Sequence, residues 1–482
     1  MTGLSAALSY ALSGLTVSAA QTAVASRNVT YAGDADYVRR TTALSTLPDG
    51  AAVLSATTRS VDARLQADQL RSSADAAGQT VTLDAYTELS ATVGDLNDGQ
   101  SLAAGISNLA IRLADHEAHP ADRTLAAAAV GAADDVAQRL NDASATVQKV
   151  RQDADQAIAR SVATINTLLQ RFQTVNQEVI NRSADDAARN DALDQRDSIL
   201  KQLAQEIGIR TVTRAGHDMA IYSDGGVTLF ETTARSLSFT PSPTLSPGGL
   251  GNAVYADGVR ITGEASAMPS VAGRLQAQMA VRDTLTSQYQ RQLDEVARGL
   301  IVSFAEDDQT GAGLAQATGL FSYPGSPAVP AAAVPGLAAT ITVHAAAAGN
   351  PFLLRDGGFG GAAYVANSSG AAGFQSHLSG LMTALSTSRA ADPAAGLGAS
   401  GTVDQLARSS AAWLEQGRNG ADAAATTATA RADRATEALQ RVTGVNIDEE
   451  MARLLDLEKA YQASAKVMSV VNQMMQQLVA IV

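Results

Sequence analysis

The C-terminal stretch NIDEEMARLLDLEKAYQASAKVMSVVNQMMQQLVAIV (residues 446–482) decides the fold, because it combines a helix start with a long heptad pattern. Asn446 is a favourable N-cap, Glu449 stands where a capping box needs it, and acids at 448–450 suit the positive helix end. No Gly or Pro follows, so the helix extends for roughly 55 Å. Its seven-residue spacing predicts two lines on one face, namely Ile447, Leu454, Tyr461, Met468, Met475 and Val482, and Leu457, Ser464, Val471 and Leu478.

The N-terminal residues 4–29 carry a matching heptad of smaller side chains. Its two lines are Leu8, Leu15, Thr22 and Val29, and Leu4, Ala11, Ser18 and Ala25. We therefore expect the two ends to pair as an α-helical coiled coil. About ten seam side chains at ~2 kcal/mol each do not clearly outweigh the entropy of ordering the segments. The sequence therefore predicts ends that are disordered in the isolated chain and fold against other molecules, with an ordinary core helix as the alternative.

Composition narrows the class of protein. The chain has 482 residues, a net charge of −13 and only 4% aromatic residues, which favours close-packed helices and disfavours binding to nucleic acid or anionic membranes. It has no cysteine, which excludes disulfides and thiolate metal sites. No Lys or Arg precedes Arg27, and Ser, Thr and Gln interrupt the apolar start, so we expect neither a cleavable signal peptide nor membrane insertion.

Periodicity predicts a mainly α fold with a β-rich insert and nested domains. The longest predicted helix spans 121–182, with apolar residues every seven positions from Ile158 to Val179, and a second helix over 191–208 completes a helical hairpin. Alternation then indicates strands. The predicted domains are a terminal coiled coil (1–50 and 440–482), a helical bundle (51–208, 264–305 and 376–439), a small β unit (209–263) and a Gly/Ala/Pro-rich outer region of loops and strands (306–375).

Motifs that carry chemistry are weak. His116 and His119 are spaced i, i+3 rather than the i, i+4 of a zinc helix, and we expect them at an exposed helix end. The GxGxxG pattern at 396–401 follows no strand, which favours a loop. Trp413 is expected to anchor a helix in the bundle. We therefore predict no catalytic residues, no metal site, no cofactor and no enzymatic activity.

Three segments resemble a known family. The tail GVNIDEEMARLLDLEKAYQASAKVMSVVNQMMQQLV and the start GLSAALSYALSGLTVSAAQTAVASRNVTYAGDADYVRR resemble the terminal helices of bacterial flagellar axial proteins. The segment NDALDQRDSILKQLAQEIGI (190–209) is similar to the hook-associated branch of that family through Leu193, Asp194, Gln195, Arg196 and Asp197. Asn28 is retained, but the turn at 33–37 departs from the family pattern.

The resemblance implies a structural subunit of the flagellar hook–filament junction, exported unfolded by the type III system and located outside the cell. Implied partners are copies of the chain, the hook protein, the second junction protein (hook-associated protein 3) and an export chaperone on the C-terminal helix. Alternatives are another axial protein of hook, distal rod or filament type, and a cytoplasmic coiled-coil adaptor. The predicted assembly and chaperone surface comprises Leu4, Leu8, Leu15, Val29, Ile447, Met451, Leu454, Leu457, Tyr461, Met468, Val471, Met475 and Leu478.

Overall fold

The computed structural model describes residues 2–48, 51–92, 99–182 and 187–481, without the side chains of Thr2, Leu478, Val479 and Ile481. Helices dominate these residues, which confirms the predicted fold class. In chain order they are α1 (Thr2–Thr30), α2 (Ala63–Ser90), α3 (Leu102–Ala118), α4 (Arg123–Asn181), α5 (Ala187–Glu206), α6 (Arg274–Ala280), α7 (Thr286–Ser303), α8 (Leu337–Thr340), α9 (Ala345–Gly349), α10 (Leu353–Asp356), α11 (Ser376–Ser386), α12 (Val403–Thr443) and α13 (Ile447–Ile481).

The strands are short and pair only antiparallel within the described residues. They form the hairpin β1–β2, two three-stranded sheets β3–β4–β5 and β6–β7–β8, and the pairs β9–β10 and β11–β12. Their bounds are β1 (Arg40–Thr46), β2 (Ala52–Arg59), β3 (Ile209–Thr213), β4 (Met219–Ser223), β5 (Thr228–Phe230), β6 (Leu237–Ser238), β7 (Tyr255–Ala256), β8 (Val259–Arg260), β9 (Phe321–Ser322), β10 (Thr342–Val343), β11 (Arg389–Ala390) and β12 (Ser400–Gly401).

The chain ends meet as an antiparallel helix pair. Gly14 of α1 lies so close to α13 that an added Cβ would stand 2.9 Å from the Ser464 hydroxyl oxygen. Near the other end of α1, Arg39 reaches Glu450 at the start of α13, with 2.7 Å between Nε and Oε1. The small-residue line of α1, rather than its leucine line, is the buried one, because small side chains let the two backbones approach. The structure thus pairs the two terminal helices as predicted, while their disorder before assembly stays a prediction.

Two buried apolar clusters hold the rest of the chain. The main core joins α2, α3, the first half of α4, α7 and α12. The second core joins the rest of α4 with α5, α6 and the strands β3 to β8. Trp413 packs against the main core between Tyr86 and Tyr289, with ring centroids 6.2 and 6.4 Å away, as predicted. The 59-residue α4 is therefore the spine that both cores share.

A buried polar layer separates the two cores. Arg282 lies in a π-helical turn, Val281–Leu285, between α6 and α7, and its guanidinium contacts Asp155 of α4 at 2.5 Å and Asp283 at 2.7 Å. Arg151 donates hydrogen bonds to the carbonyl oxygens of Arg282, Ser246 and Gly249. Because every charge in the layer finds a partner, the polar interruption is tolerated.

Two predicted boundaries differ from the structure. The limit at residue 50 falls inside the β1–β2 hairpin, whose strands pair from Arg40 with Arg59 to Thr46 with Ala52, so that residues 51–59 belong with the terminal helices. The region 306–375 has the predicted loops and the short strands β9 and β10, but it does not lie wholly outside the cores. It contains the short helices α8 to α10, and its apolar side chains enter the main core because α4 and α7 leave apolar surface facing them; these are Leu320, Phe321, Leu337, Ile341 and Leu354. The remaining domain limits stay predictions.

Within the described residues, one helix, Gly3–Thr30 of α1, is long and apolar enough to cross a membrane by length and composition, with a mean hydropathy of 1.2. Core helices of water-soluble proteins pass the same criterion, so this is weak evidence for a membrane span.

Candidate assembly surface and joint

The α1–α13 pair leaves apolar side chains in solvent on both sides of its contact line. On α13 the buried line runs through Leu457 and Val471. Tyr461 stands on one flank of that line and is 48% exposed, while Val467 and Met474 on the other flank are 49% and 43% exposed. A two-helix pair can cover only one stripe of each helix. These two apolar flanks of α13 therefore form a surface that the described part of this chain does not cover.

The predicted assembly residues divide into three groups. Leu457 and Val471 are buried in the α1–α13 contact. Ile447, Met451 and Tyr461 are exposed. Half-buried positions are Leu4, Leu8, Leu15, Val29, Leu454, Met468 and Met475. The side chain of Leu478 and all of Val482 lie outside the described residues. The structure also adds exposed apolar residues that the heptad lines missed, namely Tyr10, Leu12, Leu455, Val467, Val470 and Met474.

The start of α13 is capped partly as predicted. Asn446 Oδ1 accepts from the backbone N–H of Asp448 at 3.0 Å and of Glu449 at 3.4 Å. Glu449 does not reach back to close a capping box. Its carboxylate instead lies 3.6 Å from Arg39, because Arg39 is held against this end of α13 by the fully buried Glu450. The first turn of α13 is thereby tied to the segment between α1 and β1.

The motif residues of α5 form a joint between the terminal helices and the rest of the chain. Arg59 of β2 lies 2.8 Å from Asp194 and also pairs with Asp197. Arg40 of β1 pairs with Asp194 at 3.1 Å and with Asp191. Arg27 of α1 adds a 2.6 Å contact to Asp191. Spacings of three residues place these carboxylates along one helix face, which we call the acidic face of α5.

The other motif residues point away from that face or support it. Arg196 is buried and donates to Asn176 Oδ1 of α4 at 3.2 Å and to the His217 carbonyl oxygen at 2.6 Å. Leu193 packs in a small apolar cluster with Val179. Gln195 is exposed. The motif thus fixes α5 to α4 and to the β unit while its aspartates face the terminal helices.

Asn28 organises the altered turn after α1. Its side-chain nitrogen donates to the Arg40 carbonyl oxygen at 2.9 Å, and its oxygen accepts from the Arg40 N–H at 3.1 Å and the Tyr37 hydroxyl at 2.8 Å. Tyr37 stacks on Tyr31 with ring centroids 5.2 Å apart. Asp36 in the turn accepts from Lys201 of α5 at 2.6 Å. The departure from the family pattern at 33–37 therefore still yields an ordered turn, and this turn also docks on α5.

Asp191 and Asp194 of the acidic face have opposite pKa shifts. Burial raises the pKa of Asp194 to about 6, although Arg59 and Arg40 both favour its charged form. Burial also acts to raise the pKa of Asp191, but hydrogen bonds from Arg40 and Arg27 outweigh it, so that the pKa lies below its usual value. The face thus combines a firmly charged outer carboxylate with a desolvated inner one.

A cleft of about 500 Å³ opens beside the joint. Its walls come from the turn at 31–38, the start of α2, the end of α12 and α5 near Lys201. Tyr31 and Val61 line it and are largely exposed. The terminal helices therefore contact the rest of the chain tightly along α5 and face open space at this cleft.

The arginines of the joint were missed by sequence reasoning. Arg27, Arg40 and Arg59 are spread over three elements, and their partners in α5 lie more than 130 residues further along the chain. The available signal was the unusual run of three aspartates at i, i+3 and i+6 in a helix that is otherwise half apolar. Ion pairing over such separations is not readable from local periodicity.

The predicted exposed end of α3 is wrong for His116. This residue is fully buried, and its ring lies 6.5 Å from the ring of Phe352. The cause is the segment 345–375, which folds over the end of α3 instead of lying outside. Burial and the nearby Arg355 lower the pKa of His116. Among the described residues, no group of three or more His, Asp or Glu side chains is placed to hold a metal ion.

Two family models match the chain. The model described as "Flagellar hook-associated protein FlgK helical domain" matches residues 86–321. The model described as "Flagellar basal body rod FlgEFG protein C-terminal" matches residues 440–481. The first contains α5 and its motif, and the second contains α13.

Curated proteins named flagellar hook-associated protein 1 are similar to about half of the chain. The protein from Salmonella typhimurium is 25% identical over 252 residues, which cover 50% of this chain and 45% of the relative. The protein from Escherichia coli K12 is 26% identical over 253 residues, covering 50% and 46%. The match thus spans less than half of the relatives' length. A solved structure titled as the flagellar hook junction protein FlgK from Burkholderia pseudomallei has a TM-score of 0.42 at 20% identity, covering 53% of this chain and 46% of that one.

Proposed function

We propose that this chain belongs to the family of flagellar hook-associated protein 1 and that it is a structural subunit of the junction between the flagellar hook and filament. In this role it has no catalytic activity. It polymerises through its terminal helices, with α1 and α13 directed to the axis of the assembly and the two cores directed outward.

The observation that carries the proposal is the pair of uncovered apolar flanks on α13. A pair of long helices with apolar side chains on both sides of its contact line has room for a neighbour on each side. A subunit inside a ring or tube has neighbours on both sides. Because Tyr461, Val467 and Met474 are already about half buried, covering each of them provides roughly half of the about 1.5–3 kcal/mol of a full burial.

The proposed partners and location follow from the family. The chain is exported by the flagellar type III system without a cleavable signal peptide and lies outside the cell. There it contacts copies of itself, the hook protein and the second junction protein, hook-associated protein 3. Before export, a chaperone covers the apolar flanks of α13, because exposed apolar surface of this extent promotes aggregation.

Deletion of residues 447–482 tests the proposal in cells that lack the native protein. We expect hooks without attached filaments and loss of motility, scored by electron microscopy and swimming assays. Secretion of the shortened chain into the medium is measured in the same cells, which separates an export defect from an assembly defect. Normal filaments on cells that contain only the shortened chain would refute the junction role.

Point variants make the test sharper. Tyr461→Asp places a charge on one apolar flank and should abolish filament attachment. Gln462→Asp is its matched control, because Gln462 is an exposed polar neighbour on the same helix. Circular dichroism of both purified chains establishes that the folds are equal. Equal loss of filaments in the two variants would show that the flank has no special role.

A further inference from the structure

The terminal helices are attached to the rest of the chain without a shared apolar core. We call α1, β1, β2, α13 and the turn at 31–39 the terminal unit, and the described remainder the body. None of the buried apolar clusters among the described residues draws a side chain from 2–59 or 444–481. Docking of the terminal unit on the body therefore depends on polar contacts.

Those polar contacts lie mainly along one helix face. The acidic face of α5 receives Arg27, Arg40 and Arg59. Further along the same face, Ser198 and Lys201 both donate to Asp36 at 2.6 Å. The outer pairs are partly open to solvent, since the side chains of Arg27 and Asp191 are 33% and 40% exposed. Ion pairs of this kind hold a docked position but are weakened by salt and by removal of one partner.

The covalent links between terminal unit and body are two adjacent segments. One joins β2 to α2 through Ser60, and the other joins α12 to α13 through Gly444. The Ser60 hydroxyl donates to the Val442 carbonyl oxygen at 2.9 Å, and the Arg39 N–H donates to the Thr443 carbonyl oxygen at 2.7 Å. Two short links side by side define an axis about which one part can rotate.

Space for such a rotation exists beside the joint, next to Lys201 of α5. The cleft of about 500 Å³ lies between the same two links and the turn at 31–38. We propose that the acidic face of α5 is an electrostatic latch, and that the terminal unit swings as one body about the two links when this latch is neutralised. The latch lets one subunit fit neighbours at different angles while both of its parts stay folded.

Distance measurements between spin labels test the latch on the isolated chain. The absence of cysteine allows single labels to be placed freely. Thr16→Cys on α1 and Gln152→Cys on α4 are exposed positions on the two parts, and Gln152→Cys with Thr383→Cys is a control pair within the body. Pulsed electron–electron resonance then reports the mean distance and its spread for each pair.

Neutralising the latch should broaden only the distance between the two parts. In the double variant Asp191→Asn/Asp194→Asn we expect about a twofold wider distribution for the Thr16/Gln152 pair and no change for the body pair. Raising the ionic strength from about 0.01 M to about 1 M, which shortens the screening length from ~30 to ~3 Å, should broaden the wild-type distribution in the same direction. Glu231→Gln is the matched control, because it removes a 2.8 Å pair with Arg214 that lies within the body and does not involve the terminal unit.

An unchanged Thr16/Gln152 distribution in the double variant and in high salt would overturn the latch. Equal broadening in Glu231→Gln, or broadening of the body pair, would also overturn it, because the change would then reflect general loosening. The salt titration uses the unaltered chain, so it remains decisive where the double variant does not fold. Because no assembly is involved, the result is independent of the proposed junction role.

Discussion

Helices α4 and α13 have the same heptad spacing of apolar residues, but the apolar face of α4 is buried and that of α13 is partly exposed. In α4, Ile158, Ile165 and Phe172 are fully buried, since α5, α6 and the β unit cover them. In α13, Ile447 and Tyr461 stand about half exposed at equivalent spacing. Heptad spacing therefore predicts that a helix has an apolar face. Whether the same chain or another molecule covers that face depends on the elements that pack around the helix.

The largest expected contrast lies between two aromatic residues at seven-residue positions. Phe172→Ala should lower the free energy of unfolding by about 3–5 kcal/mol, because the ring is buried and meets Phe230 at 5.0 Å. Tyr461→Ala should change it by less than about 0.5 kcal/mol. Urea unfolding followed by circular dichroism measures both values. Similar losses would mean that α13 is covered within the chain, and the comparison would fail.

The polar layer of α4 gives the next largest effect. Asp155→Asn should lower the free energy of unfolding by about 3 kcal/mol, because it removes the negative charge that pairs with the buried guanidinium of Arg282. Asp153→Asn, two residues away, removes an exposed pair with Lys149 and should cost under about 0.5 kcal/mol. Unfolding curves of the two variants decide this, and equal curves would show that the layer adds nothing to stability.

The close approach of α1 and α13 makes Gly14 sensitive. Gly14→Leu should weaken the helix pair by about 1–3 kcal/mol, since even a Cβ meets the Ser464 hydroxyl oxygen at 2.9 Å. Gly3→Leu is the control, because nothing lies within 4 Å of its added Cβ. Hydrogen exchange should show faster exchange in α1 and α13 for the first variant only, with the cores unaffected. Unchanged protection in Gly14→Leu would mean that the pair tolerates separation.

The most gradual effect concerns the joint and pH, because it is spread over about two pH units. The folded-state pKa of Asp194, about 6, lies above its usual value of 3.8, so the folded chain holds this proton more tightly. Its contribution to the free energy of unfolding is therefore present below pH 4 and is lost as the pH rises to 6, by at most ~1.4 kcal/mol per pH unit. The pKa of Asp191 is lowered. Its contribution to the free energy of unfolding is therefore present above pH 3.8 and is lost as the pH falls further.

The difference in stability between wild type and Asp194→Asn isolates this effect. Buried histidines with lowered pKa, such as His116, titrate in a neighbouring range with the opposite sign, but they cancel in the difference. We expect the difference to slope between pH 4 and 6 and to be flat above pH 7. A carboxyl NMR titration that places Asp194 near 4 would contradict the assigned burial.

Sequence patterns correctly predicted the features that depend on neighbouring residues in the chain. The length of α4, the strands at 209–260 and the cap at Asn446 follow from spacing, alternation and side-chain chemistry near each residue. The α1–α13 pairing was also predicted, but the small-residue line of α1 proved to be the buried one, because close backbone approach replaced leucine packing.

Long-range chemistry was not predictable in the same way. Family resemblance pointed to Asp194 and Asp197. The residues next to them in the sequence did not indicate that Arg40 and Arg59 would be their partners. Likewise, Gly, Ala and Pro in 306–375 indicated loops, and local sequence did not show that Phe321 would be buried in the main core. A contact between two segments that are distant in the sequence cannot be predicted from the pattern of either segment alone.

The contact of Gly14 with Ser464 also has a consequence for the order of folding. Nearly the whole chain separates these residues, and closing so long a loop in an unfolded chain is entropically costly. Folding of the body brings the two links at Ser60 and Gly444 together and shortens the effective loop. The terminal pair should therefore be the last part to form, so the surface for neighbours comes into existence only on a subunit whose body is already folded.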